Sequence, residues 1–269
     1  MQRSLVRVLA ANKAGYILLS GFFAVVLLII IVWWPLAQEQ LALIDWSRPL
    51  WPQLDWLLLG IFATMSALIL VGANLKADAL TVLVGLVGGL VIESWGTQTN
   101  LWHYYTSERP PLWIIPAWPI ASLSIDRLYR FLNRLLPHTE QRAGPFAVLY
   151  WLIFPAFYAL MLVYVWPTIG KSLTLASLAL CAFLVLTPSD HRAMVLIFIA
   201  GAGLGYFLEL WGTTRECWTY YTFETPPLFA VLAHGMASVA FWRASRVLIL
   251  MFRKLPPLLG RQTRLPERS

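Results

Sequence analysis

The stretch ESWGTQTNLWHYYTSERPPL, residues 93–112, recurs 116 positions later as ELWGTTRECWTYYTFETPPL, residues 209–228, with 12 of 20 positions identical and no gap. A match of this density at a fixed offset marks a duplicated structural unit. It continues backwards through Gly85/Gly201 and Gly89/Gly205, and forwards through Ala121/Ala237, Ser122/Ser238, Arg127/Arg243, Arg130/Arg246 and Leu132/Leu248.

Around this duplicated segment the chain is apolar. Of 269 residues, 59% are hydrophobic and 12% charged, and the mean hydropathy is +0.68, which excludes a water-soluble globule. Charge-free runs at Tyr16–Trp34, Trp56–Leu75 and Phe146–Ile169 hold 19, 20 and 24 residues, close to the roughly 20 that cross a bilayer as helix. Reading such runs between charged or Pro/Gly punctuation gives spans at 16–34, 56–75, 80–96, 112–134, 147–169, 173–189, 193–212 and 227–250. The fold class expected is therefore all-α: a polytopic membrane helix bundle of about eight transmembrane helices. Four spans per copy is an even number, so the two four-helix repeats should run parallel, related by a pseudo-twofold axis along the membrane normal. The repeats are placed at 15–136 and 147–252, joined by a linker at 137–146 and flanked by segments 1–14 and 253–269.

The net charge of +7 reflects loop placement rather than nucleic-acid binding, which is not expected. With the N-terminus inside, the inner segments hold 16 basic residues and the outer ones four, Arg48, Arg109, Lys171 and Arg215. The positive-inside rule then places both termini in the cytoplasm and the chain in the inner, plasma membrane. Arg3, Arg7 and Lys13 precede the first apolar run, read as a retained helix rather than a cleaved signal. Cys181 and Cys217 lie at different depths and are expected to be free thiols.

In the third span Gly85, Gly89, Glu93 and Gly96 fall at i, i+4, i+8 and i+11, within about 80° of arc, and Gly201, Gly205, Glu209 and Gly212 repeat the pattern in the seventh. Such a stripe lets a neighbouring helix approach closely and should turn each glutamate into the bundle. An intramembrane carboxylate is a candidate functional group. It could equally hydrogen-bond loop backbone, the Thr97/Thr213 hydroxyls or a tyrosine, and so pin the loop to the helix end.

The loops add Trp95, Trp102, Tyr104, Tyr105 and Glu108, with Trp211, Trp218, Tyr220, Tyr221 and Glu224 as their twins, then a Pro-Pro pair at which the fourth and eighth spans should begin. Tyr and Trp here read either as an interfacial belt or as the wall of an apolar ligand cavity, with one tyrosine of each adjacent pair facing in. Trp46, Trp51 and Trp56 read as belt residues. His234, where the first copy has Trp118, lies near the depth of Glu209 and could couple with Glu209 or Glu93 in acid/base chemistry, or simply be a satisfied interhelical histidine. His103 should face solvent. Arg127, Arg130, Arg243 and Arg246 read as snorkelling side chains at the inner ends of their spans. No metal-ligand spacing, phosphate loop, nucleophile elbow or dinucleotide fingerprint occurs, so neither metal nor cofactor is expected.

The run from Glu93 through Gly96-Thr97, Trp102, Tyr104-Tyr105 and Pro110-Pro111-Leu112-Trp113-Ile114-Ile115-Pro116-Ala117-Trp118 resembles the integral-membrane carotenoid-biosynthesis family that includes bisanhydrobacterioruberin hydratases, over about 30 residues. The resemblance implies addition of water to a terminal isoprenoid double bond, with Glu93 as the acid and aromatic faces sheltering the cation. The expectation is thus a membrane protein that acts on or binds a long apolar, isoprenoid-like lipid, through Glu93, Glu209 and His234 and the aromatics around them. The alternatives are a non-catalytic complex or scaffold subunit holding a membrane-protein partner on the outer face, and a proton-coupled transporter. An enzyme should show a blind apolar cavity ending at the glutamates, and a scaffold a filled interior with both glutamates satisfied.

Overall fold

The structure, a computed structural model, describes residues 13–136 and 143–254; most of the N-terminal segment, the core of the linker and the basic tail lie outside the described residues. Its elements are α1 (Lys13–Val32), α2 (Trp34–Ala42), α3 (Trp56–Leu70), α4 (Leu75–Thr99), β1 (Trp102–Tyr104), α5 (Ala117–Leu135), α6 (Ala143–Val165), α7 (Ser172–Leu186), α8 (His191–Thr214), β2 (Trp218–Tyr220) and α9 (Leu228–Lys254). Among the described residues five helices, α1, α4, α6, α8 and α9, are long and apolar enough to cross a membrane. The apolar α3 and α7 are shorter, 15 residues each. The all-helical membrane bundle is as expected; the short α2 and a two-stranded ladder between the motif loops are additions to it.

Local chemistry sets the ends of the two glutamate helices in the same way. Asn74 caps α4 by accepting from the backbone N–H groups of Lys76 and Ala77, and Asp190, 116 residues on, caps α8 by accepting from Ala193. Each cap satisfies N–H groups that a helix start leaves open. Past the helix ends, Asn100 and Glu216 both take left-handed φ values, 63° and 55°, and Ser107 and Phe223 take 61° and 58°. The two loops therefore follow the same backbone path. They pair antiparallel, with Trp102 opposite Tyr220, His103 opposite Thr219 and Tyr104 opposite Trp218. Residues 116 apart thus exchange partners about the His103/Thr219 pair.

The helix expected as the fourth span starts later than expected. Helix α5 begins at Ala117, not at 112, because Pro116 precedes it as N-cap and Trp113 is drawn into the aromatic core. In the second copy, which has Leu232 at the position of Pro116, α9 starts directly after Pro227. A further correspondence becomes visible: Trp34-Pro35 after α1 matches Trp166-Pro167 after α6 at an offset of 132, since the first copy holds 16 additional residues before α3.

The copies interlock. Trp95 Nε1 on α4 donates to Thr174 Oγ1 on α7 at 3.3 Å, while its counterpart Trp211 on α8 donates to Asp55 Oδ2 before α3 at 2.9 Å. Lys171 Nζ donates to the Thr99 carbonyl at 2.7 Å; at the equivalent junction Arg215 pairs with Asp55 at 3.1 Å. Trp46, Trp51 and Trp56 are exposed, and Cys181 and Cys217 are free thiols.

Candidate functional site: two aromatic-clamped carboxylates

Glu93 and Glu209 each sit on the glycine stripe of a long helix and point into the bundle, 3% and 4% exposed. Glu93 Oε1 accepts from the Tyr104 hydroxyl at 2.7 Å and from Trp118 Nε1 at 3.1 Å, and its Oε2 accepts from Trp102 Nε1 at 3.1 Å. Glu209 is bound in the same way, by the Tyr220 hydroxyl at 2.9 Å and Trp218 Nε1 at 2.8 Å, with His234 Nε2 at 2.8 Å where the first copy has Trp118. The spacing is i+9 for the indole, i+11 for the phenol and i+25 for the third ring in both. Each buried carboxylate thus has three ring partners, which offsets the cost of taking it out of water.

The glycines are the slots through which those rings arrive. A Cβ on Gly96 or Gly212 would overlap the indole of Trp102 or Trp218, and one on Gly89 or Gly205 would overlap Trp118 or the His234 side chain. The stripe therefore does more than let helices approach: it makes room for the donors at the carboxylate.

The ladder holds the inward tyrosines in place. Tyr104 and Tyr220 are buried, and desolvation, with the neighbouring carboxylates, raises both phenols well above their ordinary range, so they remain protonated donors. Tyr105 faces outward, its backbone N–H donating to the Cys217 carbonyl, and Tyr221 donates instead to the Tyr164 carbonyl. One tyrosine of each adjacent pair faces in. The belt reading of Trp102, Tyr104, Trp218 and Tyr220 is overturned, because the carboxylates draw these rings inward. Trp95 and Trp211 serve the contacts between copies, and Glu108, Glu224 and His103 are exposed at the loop surface, away from the carboxylates.

Thr97 and Thr213 do not reach the glutamate side chains. Their hydroxyls donate one turn back to the backbone carbonyls of Glu93 and Glu209, at 2.5 and 2.6 Å. His234 meets Glu209 rather than Glu93, and its ring lies face to face with Trp118, centroids 5.8 Å apart at 17°. The two clusters therefore touch across the interface between copies. Trp33 closes the motif-loop end, packed against Trp113, Trp211 and Trp218.

At the opposite end the snorkelling expectation fails for Arg127, which is 4% exposed. Its guanidinium binds Asp78 at 2.7 Å, Asp126 at 2.5 Å and the Val71 carbonyl past α3 at 2.9 Å. In the second copy Met194 and Trp242 replace both acids, and Arg243 keeps only the helix-end role, donating to the Leu184 carbonyl and Thr187 Oγ1. The paired loss of the acids at the repeat offset was the signal for this buried ion pair that sequence reading missed.

A cavity of about 90 Å³ lies between α4, α5, α8 and α9, and neither carboxylate lines it. Among the described residues no group of three or more His, Cys, Asp or Glu side chains could hold a metal ion. No family model, curated protein or solved structure matches the chain.

Proposed function

We propose that this protein is a non-catalytic multi-pass membrane subunit, two parallel four-helix repeats with both termini cytoplasmic, that holds a partner protein against its motif-loop face. The observation that carries the reading is that both oxygens of each glutamate are engaged by rings of its own repeat, three rings to each carboxylate. Clamped in this way, the carboxylates fix the β1–β2 ladder and display His103, Tyr105, Phe223 and Glu224 outward. Phe223 is 77% exposed, in a left-handed turn conformation that its counterpart Ser107 shares, so the repeated turn presents a large apolar ring outward. The test is hydrogen–deuterium exchange together with mass spectrometry of bound lipids, on wild type, Glu93→Ala and Glu209→Ala. A structural clamp predicts faster exchange in residues 102–105 and 218–221 of both variants, with only bulk phospholipid in all three preparations. Loops that stay protected in folded variants would overturn it.

A second reading, action on an apolar isoprenoid-like lipid, is favoured by one contact, His234 with Glu209 at 2.8 Å. A carboxyl–imidazole couple within indole and phenol rings has the composition needed to protonate an alkene and shelter the cation. That reading predicts a specific isoprenoid bound to wild type and altered or lost in Glu209→Gln.

A further inference from the structure

The cavity between α4, α5, α8 and α9 is built from residues 116 apart: Thr81 with Ile197, Ser122 with Ser238, Ile125 with Phe241, Asp126 with Trp242 and Tyr129 with Ser245. It therefore lies on the relation between the two copies, on the side of the glutamate layer away from the motif loops. Its floor is Ser122 and Ser238. Their hydroxyls donate one turn back to the carbonyls of Trp118 and His234, at 2.8 and 2.6 Å, the two residues that complete the carboxylate clusters. Its far end is Tyr129 and Ser245, seven residues on and so about 10 Å away along the helices.

That far end is charged. Asp126, which lines the cavity, pairs with Arg130, and the two side chains are 23% and 49% exposed. Tyr129 lies in the field of Asp190, Arg192 and Arg246. About 90 Å³ is far below the roughly 300–1,000 Å³ of sites for organic ligands. It is ample for several waters, each of which needs roughly 10–15 Å³ of such space and two to four polar partners. Thr81, Ser122, Asp126, Tyr129, Ser238 and Ser245 place such partners along its length.

We infer that this cavity is a water-filled inlet, open at the basic end and closed at the Ser122/Ser238 floor, that brings water to within one helical turn of the His234–Glu209 couple. The couple then exchanges protons with the basic-end side of the membrane, while Trp33, Trp113, Trp211 and Trp218 seal the motif-loop side. The groups that face His234 are Glu209 from α8 and Trp118 from α5, with Glu93 beyond Trp118. The inference does not depend on the scaffold reading, since a dry cavity would leave the clamp intact.

The test is reaction of the full chain in lipid nanodiscs with silver ion, a charged probe close to water in size that reaches thiols through water, read as loss of free thiol. Wild type is the control, since Cys181 and Cys217 are both buried. Ser245→Cys at the mouth and Ser238→Cys at the floor are expected to react at least tenfold faster than Gly203→Cys, whose position on the outside of α8 meets nothing within 4 Å. Adding Ser245→Trp should slow Ser238→Cys at least tenfold. A floor cysteine as inert as Gly203→Cys in a folded, monodisperse protein means a dry cavity and overturns the inference. An undiminished rate with Ser245→Trp present places the entry elsewhere and overturns it too. Should Ser238→Cys fail to fold, Ser122→Cys probes the same floor from the other copy.

Discussion

Trp118 and His234 lie face to face, 5.8 Å apart, and each ring is bound through nitrogen to a different buried glutamate. They occupy the same position in the two copies, so the one substitution that breaks the symmetry of the clusters falls where the clusters meet. Removing either ring should be felt in both copies. Trp118→Ala takes away a donor and a large packed ring, and is expected to cost about 3–5 kcal/mol. His234→Ala removes a smaller group and leaves one acceptor site open, about 1–3 kcal/mol. In a double-mutant cycle read by thermal unfolding, the shared stack should appear as coupling of about 0.5 kcal/mol or more; additive losses would mean that the stack carries no energy.

The glycine slots make a sharper steric prediction. Gly96→Ala and Gly212→Ala place a methyl group inside an indole ring, so the tryptophan must leave its carboxylate or the helix must shift. Both variants should lose several kcal/mol of stability and unprotect β1–β2 in hydrogen exchange. Gly203→Ala, with open space around it, should be neutral or gain up to about 1 kcal/mol of helix propensity. Equal behaviour of the three variants would refute the slot account.

The Asp78–Arg127 pair is buried on both sides; removing Arg127 strands the Asp78 charge, whereas removing Asp78 leaves Arg127 its contacts with Asp126 and the Val71 carbonyl. Arg127→Met alone should cost about 3–5 kcal/mol, and Asp78→Met less. The second copy carries Met194 at that position, Trp242 in place of Asp126, and an arginine held by backbone. Asp78→Met together with Arg127→Met, which removes both buried charges and leaves Asp126 to Arg130, should be much less damaging than the sum of the single losses, measured by denaturation midpoints. Full additivity would contradict the assignment.

Alkali should act at the loops. Burial pushes the Cys217 thiol from 9.0 up to about 12, and raises the Tyr104 and Tyr220 phenols as well. Above pH 9 the unfolded chain gives up these protons while the folded chain retains them. Their contribution to stability is thus complete below about pH 9 and is lost as pH rises toward 12. Unfolding midpoints should fall through that window, and Cys217 should resist alkylation at pH 8 until the protein is denatured. Rapid alkylation of the native protein would show that the loop is not closed.

Much of this was legible in the sequence, and the misses have physical causes. The duplicated glutamates and the glycine stripe follow from helix geometry and from an offset that a chain can display without coordinates, and the inward turn of one tyrosine per pair from the opposite directions of adjacent side chains. The fate of Trp102 and Trp218 did not, because an indole near a membrane boundary has the same composition whether it faces lipid or a carboxylate; the i+9 spacing decides only once the ladder is known. The later start of α5 required seeing that Pro116 and Trp113 are used by the loop. The linkage of Trp95 to Thr174 and of Trp211 to Asp55 joins residues 79 and 156 apart, and no local pattern announces it.

The central claim is that each glutamate works as an acceptor for its three rings, and the two Glu→Gln variants test it most directly through hydrogen-bond bookkeeping alone. At Glu209, a glutamine can turn its oxygen to Trp218 and donate its amide to Tyr220 and to His234, both of which are able to accept. At Glu93 two of the partners are indoles, which only donate, and they sit on different oxygens. Either orientation of the amide there leaves one indole N–H facing an NH₂. Thermal unfolding followed by tryptophan fluorescence should therefore show Glu209→Gln within about 1 kcal/mol of wild type and Glu93→Gln lower by about 1–3 kcal/mol. Equal stabilities, or a larger loss at Glu209, would contradict the account.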